Sequence, residues 1–445
     1  MHKDTFFCKP PATATLLRND IALNTMLLDD LSTPAFVVDR HAFEQNCKAA
    51  RAAASRNGIP RLRPHVKTHK TSEGCVIQAG GIDSSADGEE SLADVIGFVA
   101  STLPELSMVV KLGCEYKRKP FIDVIFGVPI CKSKLLTIQS MLHELTSATR
   151  EGCIHVLVDN PQQVLFLEEF AQQNTSDENS QPWSVFMKLD TGYHRAGTTC
   201  DEAGVKLATQ IINSTHLVLK GLYTHCGHSY NIQDSKDMKE TTNQDHSLIL
   251  GFLNSLRAHL KSSHSKFDVS SLGISVGSTP SMFSHDNALK IPNIELHPGN
   301  YVFYDRQQLW TGACSSEKSI GGFVLSRVIG HYDDEHRNAI MVDAGATALT
   351  KETAPQGSMC SVLGRPDLEC YRMSQEITMI RCQSEEGEKS FPFQEFPLGS
   401  TVLLIPNHSC LAAACFEEYH VIDGGTSSVS KTSTVVGKWR PVKAW

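Results

Sequence analysis

The sequence predicts an α/β protein in which a (β/α)8 TIM-type barrel is followed by a C-terminal all-β domain. Over the first two thirds of the chain, short apolar runs alternate with amphipathic helical stretches, which is typical of a parallel sheet. Beyond about residue 305, helical periodicity fades and short strands are separated by Gly, Pro, Ser and Asp, as in all-β domains. A chain of 445 residues also fits two domains better than one.

The predicted barrel strands can be read in chain order. Thr33–Asp39 is a short apolar strand, and Asp39 can cap a helix from His41 to Arg56. The later strands are Ile96–Val99, Asp123–Phe126, His155–Val158, Ser184–Leu189, Leu217–Tyr223, Gly273–Val276 and Ile294–Leu296. About eight such units fit a closed barrel better than an open sheet. No GxGxxG motif follows the first strand, which disfavours a dinucleotide-binding fold.

The same patterns set the expected domain limits. We expect a lead-in over residues 1–32, a barrel over 33–304 and a β domain over 305–445. Two polar stretches, 81–94 and 172–181, are predicted to be a surface insertion and a surface loop. The predicted strands of the β domain are Gly322–Val328, Ala339–Val342, Ile377–Arg381, Thr401–Ile405, Tyr419–Ile422 and Val435–Trp439.

Composition excludes several classes of protein. The net charge of −8 and the pI near 6.2 disfavour a nucleic-acid or anionic-membrane partner. No run of about 18 apolar residues predicts a membrane span. The first twenty residues lack the apolar core of a secretory signal. The fourteen cysteines show no framework spacing, so we expect reduced thiols in a cytoplasmic protein.

The stretch 63–70 is the most basic part of the predicted barrel, with two lysines, two histidines and an arginine in eight residues. Pro64 and two β-branched residues argue for a strand or a strand end. On a strand, His65, Lys67 and His69 would share one face. A buried lysine beside imidazoles would have an amine of depressed pKa, which makes Lys67 a candidate Schiff-base nucleophile. The alternative is a basic strand end that forms salt bridges at the surface.

Polar clusters follow several later strands. The segments 187–197 and 223–230 gather charged and aromatic groups at strand ends, where a barrel places its active site. The loops 275–280 and 297–301 contain Gly with Ser, Thr or Asn, whose donors can approach an anion closely. Barrels often bind phosphate in the loops after strands seven and eight, which is where these two loops fall. Taken singly, each loop is more typical of a simple turn than of an anion site, because Gly and Pro occur in most loops.

His408 and Cys410 follow the predicted strand Thr401–Ile405. Two residues apart, they can project to one side and bind a metal, with zinc favoured for mixed nitrogen and sulfur ligands. The alternative is a loop histidine beside a buried thiol. Because only two ligands are local, an open coordination sphere would suit catalysis better than a structural role.

Together, these motifs resemble the fold-type III pyridoxal-phosphate enzymes related to alanine racemase, and among them the eukaryotic D-serine dehydratase and D-threonine aldolase branch. The resemblance extends from Thr33 to about Tyr419. The matching segments are TPAFVVD, RPHVKTHK, STLPE, FGVPI, LDTGYHRAG, YTHCGHSY, SVGSTP, HPGNY, VDAG and PNHSC.

The resemblance implies a set of site residues. Lys67 would be the catalytic residue and would hold pyridoxal 5'-phosphate covalently. His225 would stack on the pyridine ring, and Arg195 would lie near its phenolic oxygen. Further contacts to the cofactor would come from Tyr223 and Tyr230 at the ring and from Gly277, Ser278, Gly299 and Asn300 at the phosphate. Zinc would be bound by His408 and Cys410.

The resemblance also implies a function. We expect a carbon–nitrogen lyase that converts D-serine to pyruvate and ammonia, working as a homodimer whose partner closes the site. The aldolase relatives tend to have Asp where Cys410 stands, which favours the dehydratase. The alternatives are retro-aldol cleavage of β-hydroxy D-amino acids and a non-catalytic cofactor-binding protein, against which the metal pair argues.

Three departures from the family pattern bear on substrate choice and activity. Relatives often have Arg where His297 stands, and a His-Gly pair where this chain has Ile377-Thr378. The acidic insertion at 81–94 is also unusual.

Overall fold

The computed structural model describes residues 26–81, 92–174, 181–285, 290–355, 357–383, 390–424 and 429–443. Most of the predicted lead-in over 1–32 and most of the polar stretches 81–94 and 172–181 lie outside the described residues. The described cysteines are all free thiols. In the described part of the chain, no helix is both long enough and apolar enough to cross a membrane.

The first of two sheets is a nearly closed parallel barrel. The first ten strands of the chain are β1 (Ala35–Asp39), β2 (Arg61–Leu62), β3 (Asp94–Val95), β4 (Phe98–Ala100), β5 (Asp123–Pro129), β6 (Cys153–Val158), β7 (Trp183–Lys188), β8 (Leu217–Tyr223), β9 (Gly273–Val276) and β10 (Ile294–Leu296). The barrel order is β3-β2-β10-β9-β8-β7-β6-β5-β4. A parallel bridge between His65 and Val99 brings its two ends together. The predicted barrel is therefore confirmed.

Helices connect the barrel strands. They are α1 (Arg40–Arg56), α2 (Ser72–Gln78), α3 (Leu103–Tyr116), α4 (Leu135–Ala148), α5 (Pro161–Asn174), α6 (Glu202–Asn213) and α7 (Ser235–Ser262). As predicted, Asp39 caps α1: its carboxylate accepts hydrogen bonds from the backbone N–H groups of His41 and Ala42. Five buried side chains from β4 to β8 form a cluster inside the barrel, namely Val99, Ile125, Leu157, Phe186 and Tyr223.

The second sheet is mostly antiparallel and confirms the predicted β domain. Its later strands are β11 (Gly322–Asp334), β12 (Arg337–Val342), β13 (Cys360–Val362), β14 (Leu368–Met373), β15 (Thr378–Cys382), β16 (Thr401–Pro406), β17 (Tyr419–Ile422) and β18 (Val435–Trp439). Three short helices accompany them, α8 (Arg306–Trp310), α9 (Ala346–Leu349) and α10 (Ser409–Ala414). Strands β13 and β14 were not predicted, because neither forms a continuous apolar run.

Strand β1 belongs to the second sheet. Phe36 pairs with Val324 of β11 in antiparallel register and with Tyr419 of β17 in parallel register. The prediction that this strand lies in the barrel is therefore wrong. All five residues of β1 are buried, and a fully buried strand gives no local signal of which sheet it joins. The other domain limits stay predictions.

The basic stretch 63–70 is not a regular strand. Strand β2 ends at Leu62, and a turn follows in which the Lys70 N–H donates to the Val66 carbonyl at 2.8 Å. The predicted shared face is therefore wrong for His69. Its ring is buried and hydrogen-bonds to Thr71 and Gln78.

Candidate active site

Lys67 lies in the turn after β2, at the end of the barrel where the strands finish. A β-carbon on Gly299 would lie 3.5 Å from Lys67 Cε and 3.0 Å from His65 Cβ, so the loop after β10 closely approaches the lysine. Burial, followed by the charge of Arg195, lowers the pKa of the Lys67 amine, although Cys410 and Glu105 act in the opposite direction. The neutral amine is the nucleophilic form of lysine, and the structure favours it.

Three aromatic rings are stacked beside Lys67. The Tyr223 ring lies 4.2 Å from the His297 ring at an interplanar angle of 6°, and the His225 ring lies 6.1 Å from His297 on a similar plane. The Tyr223 hydroxyl lies 3.0 Å from His65 Nε2, and Ser275 Oγ lies 2.9 Å from His297 Nδ1. These bonds fix the positions of the rings. The sequence did not predict that His297 joins this stack. It showed only that His297 stands where relatives often have Arg.

The three imidazoles around Lys67 are held neutral. Burial, followed mainly by the nearby positive charges, lowers the pKa of His65, His225 and His297 well below the usual value. His225 Nδ1 and His297 Nε2 are buried and have no hydrogen-bond partner among the described residues. Such atoms are costly to bury, so they mark where a polar ligand would bind.

Lys188 is a second lysine of this site. Burial, followed by the charge of Arg195, lowers the pKa of its amine to about 8. Its Nζ atom lies 5.5 Å from the centre of the Tyr223 ring. Lys188 lies within the strand-end segment 187–197 that also contains Arg195, but the sequence gave no signal that its side chain would be buried.

Arg195 and Tyr230 approach the stack from the outside. The Arg195 guanidinium lies 4.7 Å from the centre of the Tyr193 ring, within the range of a cation–π contact. The Tyr193 ring meets His225 edge to face at 6.0 Å, and the Tyr230 ring lies 6.5 Å from His225. The structure thus brings both predicted residues to His225, and it adds Tyr193 to the site.

The two predicted phosphate loops lie side by side. Gly277 has φ = +100°, a conformation that other residues adopt with strain. Ser278 Oγ lies 2.8 Å from Ser229 Oγ and 3.0 Å from Ser281 Oγ. The Gly299 N–H donates to Thr279 Oγ1 at 3.2 Å, which joins one loop to the other.

The Asn300 side chain does not face the phosphate loops. Its Nδ2 atom donates to Asp305 Oδ2 at 2.7 Å, to Ser409 Oγ at 3.0 Å and to Cys410 Sγ at 3.3 Å. The amide group therefore fixes the loop of the β domain, and only the backbone of Asn300 is left for an anion.

Cys410 and His408 are hydrogen-bonded to each other beside the lysine turn. Burial raises the pKa of the Cys410 thiol, but His408, Lys67 and Thr68 outweigh burial and lower it overall. Burial lowers the pKa of the His408 imidazole. The hydrogen bonds to Cys410 and Glu352 outweigh burial and raise this pKa to about 11. A thiolate beside an imidazole is a ligand pair that suits zinc.

Glu352 contacts His408, and the sequence gave no indication of this contact. Its Oε2 atom lies 2.9 Å from His408 Nδ1. A neutral His408 that donates from Nδ1 to this carboxylate keeps the lone pair of Nε2 free for a metal. Among the described residues, no third His, Cys, Asp or Glu has a ligand atom within 4.8 Å of the ligand atoms of both His408 and Cys410.

Comparisons with known proteins agree with this fold. The family model for the alanine racemase N-terminal domain matches residues 38–288, and the model described as "Putative serine dehydratase domain" matches residues 322–422. D-serine dehydratases of Schizosaccharomyces pombe and Dictyostelium discoideum are 32% and 30% identical, over 94% of this chain and 93% and 98% of theirs. The structure of D-threo-3-hydroxyaspartate dehydratase from Delftia sp. HT23 superimposes with a TM-score of 0.75 at 22% identity, covering 94% of this chain and 100% of that one.

The barrel, the lysine turn and the added β domain define an alanine racemase-like protein, the class of the fold-type III pyridoxal-phosphate enzymes. The chain belongs, within that class, to the D-serine dehydratase family.

The family implies pyridoxal phosphate, and the site has the features that such a cofactor needs. It offers a low-pKa amine on Lys67, unpartnered ring nitrogens on His225 and His297, and adjacent glycine-containing loops. The donor set of His408 and Cys410 likewise fits a divalent zinc ion.

Proposed function

We propose that the chain is a D-serine ammonia-lyase that uses pyridoxal phosphate and zinc to convert D-serine to pyruvate and ammonia. One observation carries the proposal: the turn that carries Lys67, whose amine has a lowered pKa, contacts the sulfur of Cys410. Thr68, the residue after the lysine, lies 3.1 Å from Cys410 Sγ through its hydroxyl. Lys67 could thus take the α-proton of a small substrate while a metal on His408 and Cys410 contacts its β-hydroxyl. The names of the relatives add support.

The cofactor-binding roles that we propose come from the resemblance to the family, and the positions of the side chains support them. Lys67 would hold the cofactor covalently, while Arg195 would lie near its phenolic oxygen and His225 against its ring. Tyr223 and Tyr230 would complete the surroundings of the ring. The phosphate would be bound by Gly277, Ser278, Gly299 and the backbone of Asn300. When bound, pyridoxal phosphate delocalises the electron pair that remains after the α-proton leaves.

Lys67 would act as the base. Burial and the charge of Arg195 lower the pKa of Nζ, which favours its neutral form relative to a free lysine. A neutral Nζ can take the α-proton of D-serine, which is the general-base role. His65 and His297 are neutral as well, so neither of them competes as an acid near neutral pH.

His408 and Cys410 would hold the zinc ion, and Glu352 would orient His408. When bound, zinc supplies a Lewis acid for the β-hydroxyl, which is otherwise a poor leaving group. Loss of the α-proton and of the β-hydroxyl as water leaves aminoacrylate. A second water converts aminoacrylate to pyruvate and ammonia.

The deciding experiment is an assay of purified protein with D-serine, measuring pyruvate and glycine before and after chelation. We expect pyruvate without glycine, and loss of pyruvate formation when the metal is removed. Glycine as the main product would point to retro-aldol cleavage instead. The absence of both products from cofactor-loaded protein would make the chain a cofactor carrier and would refute the proposal.

The assembly and location of the enzyme belong to the same proposal. We infer a homodimer in the cytoplasm, in which the β domain of one subunit closes the site of the other. The resemblance to the family supports the dimer, and the free thiols of the described cysteines fit a reducing compartment. Sedimentation velocity would test the dimer. Fractionation of cells that express the protein would test its location.

A further inference from the structure

Three potential metal ligands meet outside the lysine site. Cys226 follows β8, His228 lies in the 3-10 segment Gly227–Asn231, and Asp245 lies on α7. One ligand atom from each lies within 4.8 Å of the other two. Among the described residues, no other set of three His, Cys, Asp or Glu side chains meets this distance criterion.

The distances in this group match the edges of a coordination tetrahedron. Cys226 Sγ lies 3.6 Å from His228 Nε2, and His228 Nε2 lies 3.7 Å from Asp245 Oδ1. Zinc at its usual bond lengths to sulfur, nitrogen and oxygen would give edges of about 3.6 Å between S and N and about 3.4 Å between N and O. An ion could enter with small adjustments. By contrast, 3.7 Å is too long for a hydrogen bond between nitrogen and oxygen.

Asp245 forms side-chain hydrogen bonds with Cys226 and Thr191, but one acceptor atom of the group lacks a partner. Cys226 is 2% exposed and Asp245 is 4% exposed. Asp245 Oδ1 accepts no hydrogen bond from the described residues. A carboxylate oxygen that is buried without a donor is costly, and a cation would remove that cost.

The charges that this group can carry match a divalent cation. A divalent ion would convert Cys226 and Asp245 to anions, and its two positive charges would be balanced by one thiolate and one carboxylate.

We propose that Cys226, His228 and Asp245 form a second metal site that takes zinc or a similar borderline divalent cation. This site goes beyond the proposed function, since it is separate from His408 and Cys410. The His228 side chain is 25% exposed, so the ion can enter from solvent and keep a water as its fourth ligand.

The position of the site gives it a role in holding the cofactor loops. A metal there would fasten the segment Gly227–Asn231 to α7. That segment carries Ser229, whose Oγ lies 2.8 Å from Ser278 Oγ in the first phosphate loop. His225 of the ring stack directly precedes Cys226. The three ligands are therefore positioning residues.

The test is metal content per chain, measured by mass spectrometry on the purified holo-protein after dialysis. The variants are His228→Asn, Cys410→Ala and the double variant, with the exposed His259→Asn on α7 as the matched control. We expect two metal ions in the wild type and the control, one in each single variant and none in the double variant. Wild-type content in His228→Asn would overturn the proposal.

A second measurement does not depend on the stability of the His228 variant. Cobalt added to the Cys410→Ala protein should give a thiolate-to-metal charge-transfer absorbance, and a further Cys226→Ser change should remove it. Persistence of that absorbance would overturn the assignment. The His228→Asn protein should also bind pyridoxal phosphate several-fold more weakly, and an unchanged affinity would refute the positioning role. None of these readouts depends on D-serine turnover.

Discussion

The hydroxyl of Thr68 lies 3.1 Å from the sulfur of Cys410, although 342 positions separate the two residues. Thr68 follows the candidate base in the barrel, and Cys410 is the second residue of the short helix α10 in the β domain. The Asn300 amide reaches the same sulfur at 3.3 Å. The candidate site is thus assembled between the two sheets, and neither sheet provides it alone.

The first prediction concerns which lysine holds the cofactor. Lys67→Ala is expected to lose the visible absorbance of the bound cofactor together with all activity, because its amine would form the covalent link. Lys188 is the strongest rival, since its amine also has a lowered pKa, about 8. Borohydride reduction and peptide mapping should find the label on Lys67 in the wild type and in Lys188→Ala. A label on Lys188 or on Lys70 would disprove the assignment.

The second prediction concerns the sulfur ligand. Cys410→Ala is expected to lower the rate of pyruvate formation by more than about 100-fold, the upper end of the effect seen for outer-shell partners. The cofactor spectrum and the thermal unfolding temperature should change little, because the metal would act on the leaving hydroxyl. The exposed Cys415→Ala is the matched control. A Cys410→Ala protein with the wild-type rate would rule out this role.

The third prediction concerns the carboxylate behind the histidine ligand. Glu352→Gln keeps the size of the side chain but weakens the bond to His408 Nδ1, which is 2.9 Å long. The affinity for zinc is expected to fall about 10- to 100-fold. Competition with a chromophoric chelator would measure it. Glu376→Gln, at an exposed position, should leave the affinity unchanged, and an equal loss in both variants would contradict the prediction.

The fourth prediction concerns the phosphate loops. Ser278→Ala is expected to weaken binding of pyridoxal phosphate by about 1–2 kcal/mol, the order expected for a hydrogen bond to a charged group. The serine is placed for this by its bonds to Ser229 and Ser281. Equilibrium titration of the apoprotein with the cofactor would measure the effect. The exposed Ser247→Ala serves as the control, and an unchanged dissociation constant for Ser278→Ala would place the phosphate elsewhere.

The fifth prediction concerns stability and pH. His155 Nε2 lies 3.0 Å from Asp123 Oδ1 in the barrel. Burial lowers the pKa of His155, but bonds to Asp123 and Cys153 prevail and raise it to about 9. Because the folded pKa lies above the unfolded value of about 6.5, this stabilisation is complete below pH 6.5 and is lost as the pH rises through 9.

The measurement is the free energy of unfolding in urea for wild type and His155→Gln. The difference between the two is expected to be about 3 kcal/mol larger at pH 6 than at pH 10, from a pKa shift of about 2.5 units. A difference that stays constant with pH would show that folding does not raise the pKa of His155.

Several features were determined by the sequence alone. The strands Leu217–Tyr223 and Gly273–Val276 were predicted to the residue. Their apolar runs are bounded by polar or turn residues, and burial on both faces of a barrel strand needs just such runs. Because parallel strands direct their following loops to one end, the polar motifs after successive strands had to meet there. The resemblance to known enzymes then supplied the roles expected for the residues of these loops.

Only the tertiary structure decided the contacts between distant segments. It placed β1 in the second sheet, turned His69 away from Lys67 and brought Glu352 to His408. It also joined Cys226 and His228 to Asp245 on α7. Local periodicity records which face of an element is buried, but not which partner covers that face. These contacts depend on how the barrel and the β domain pack, so no stretch of sequence contains them.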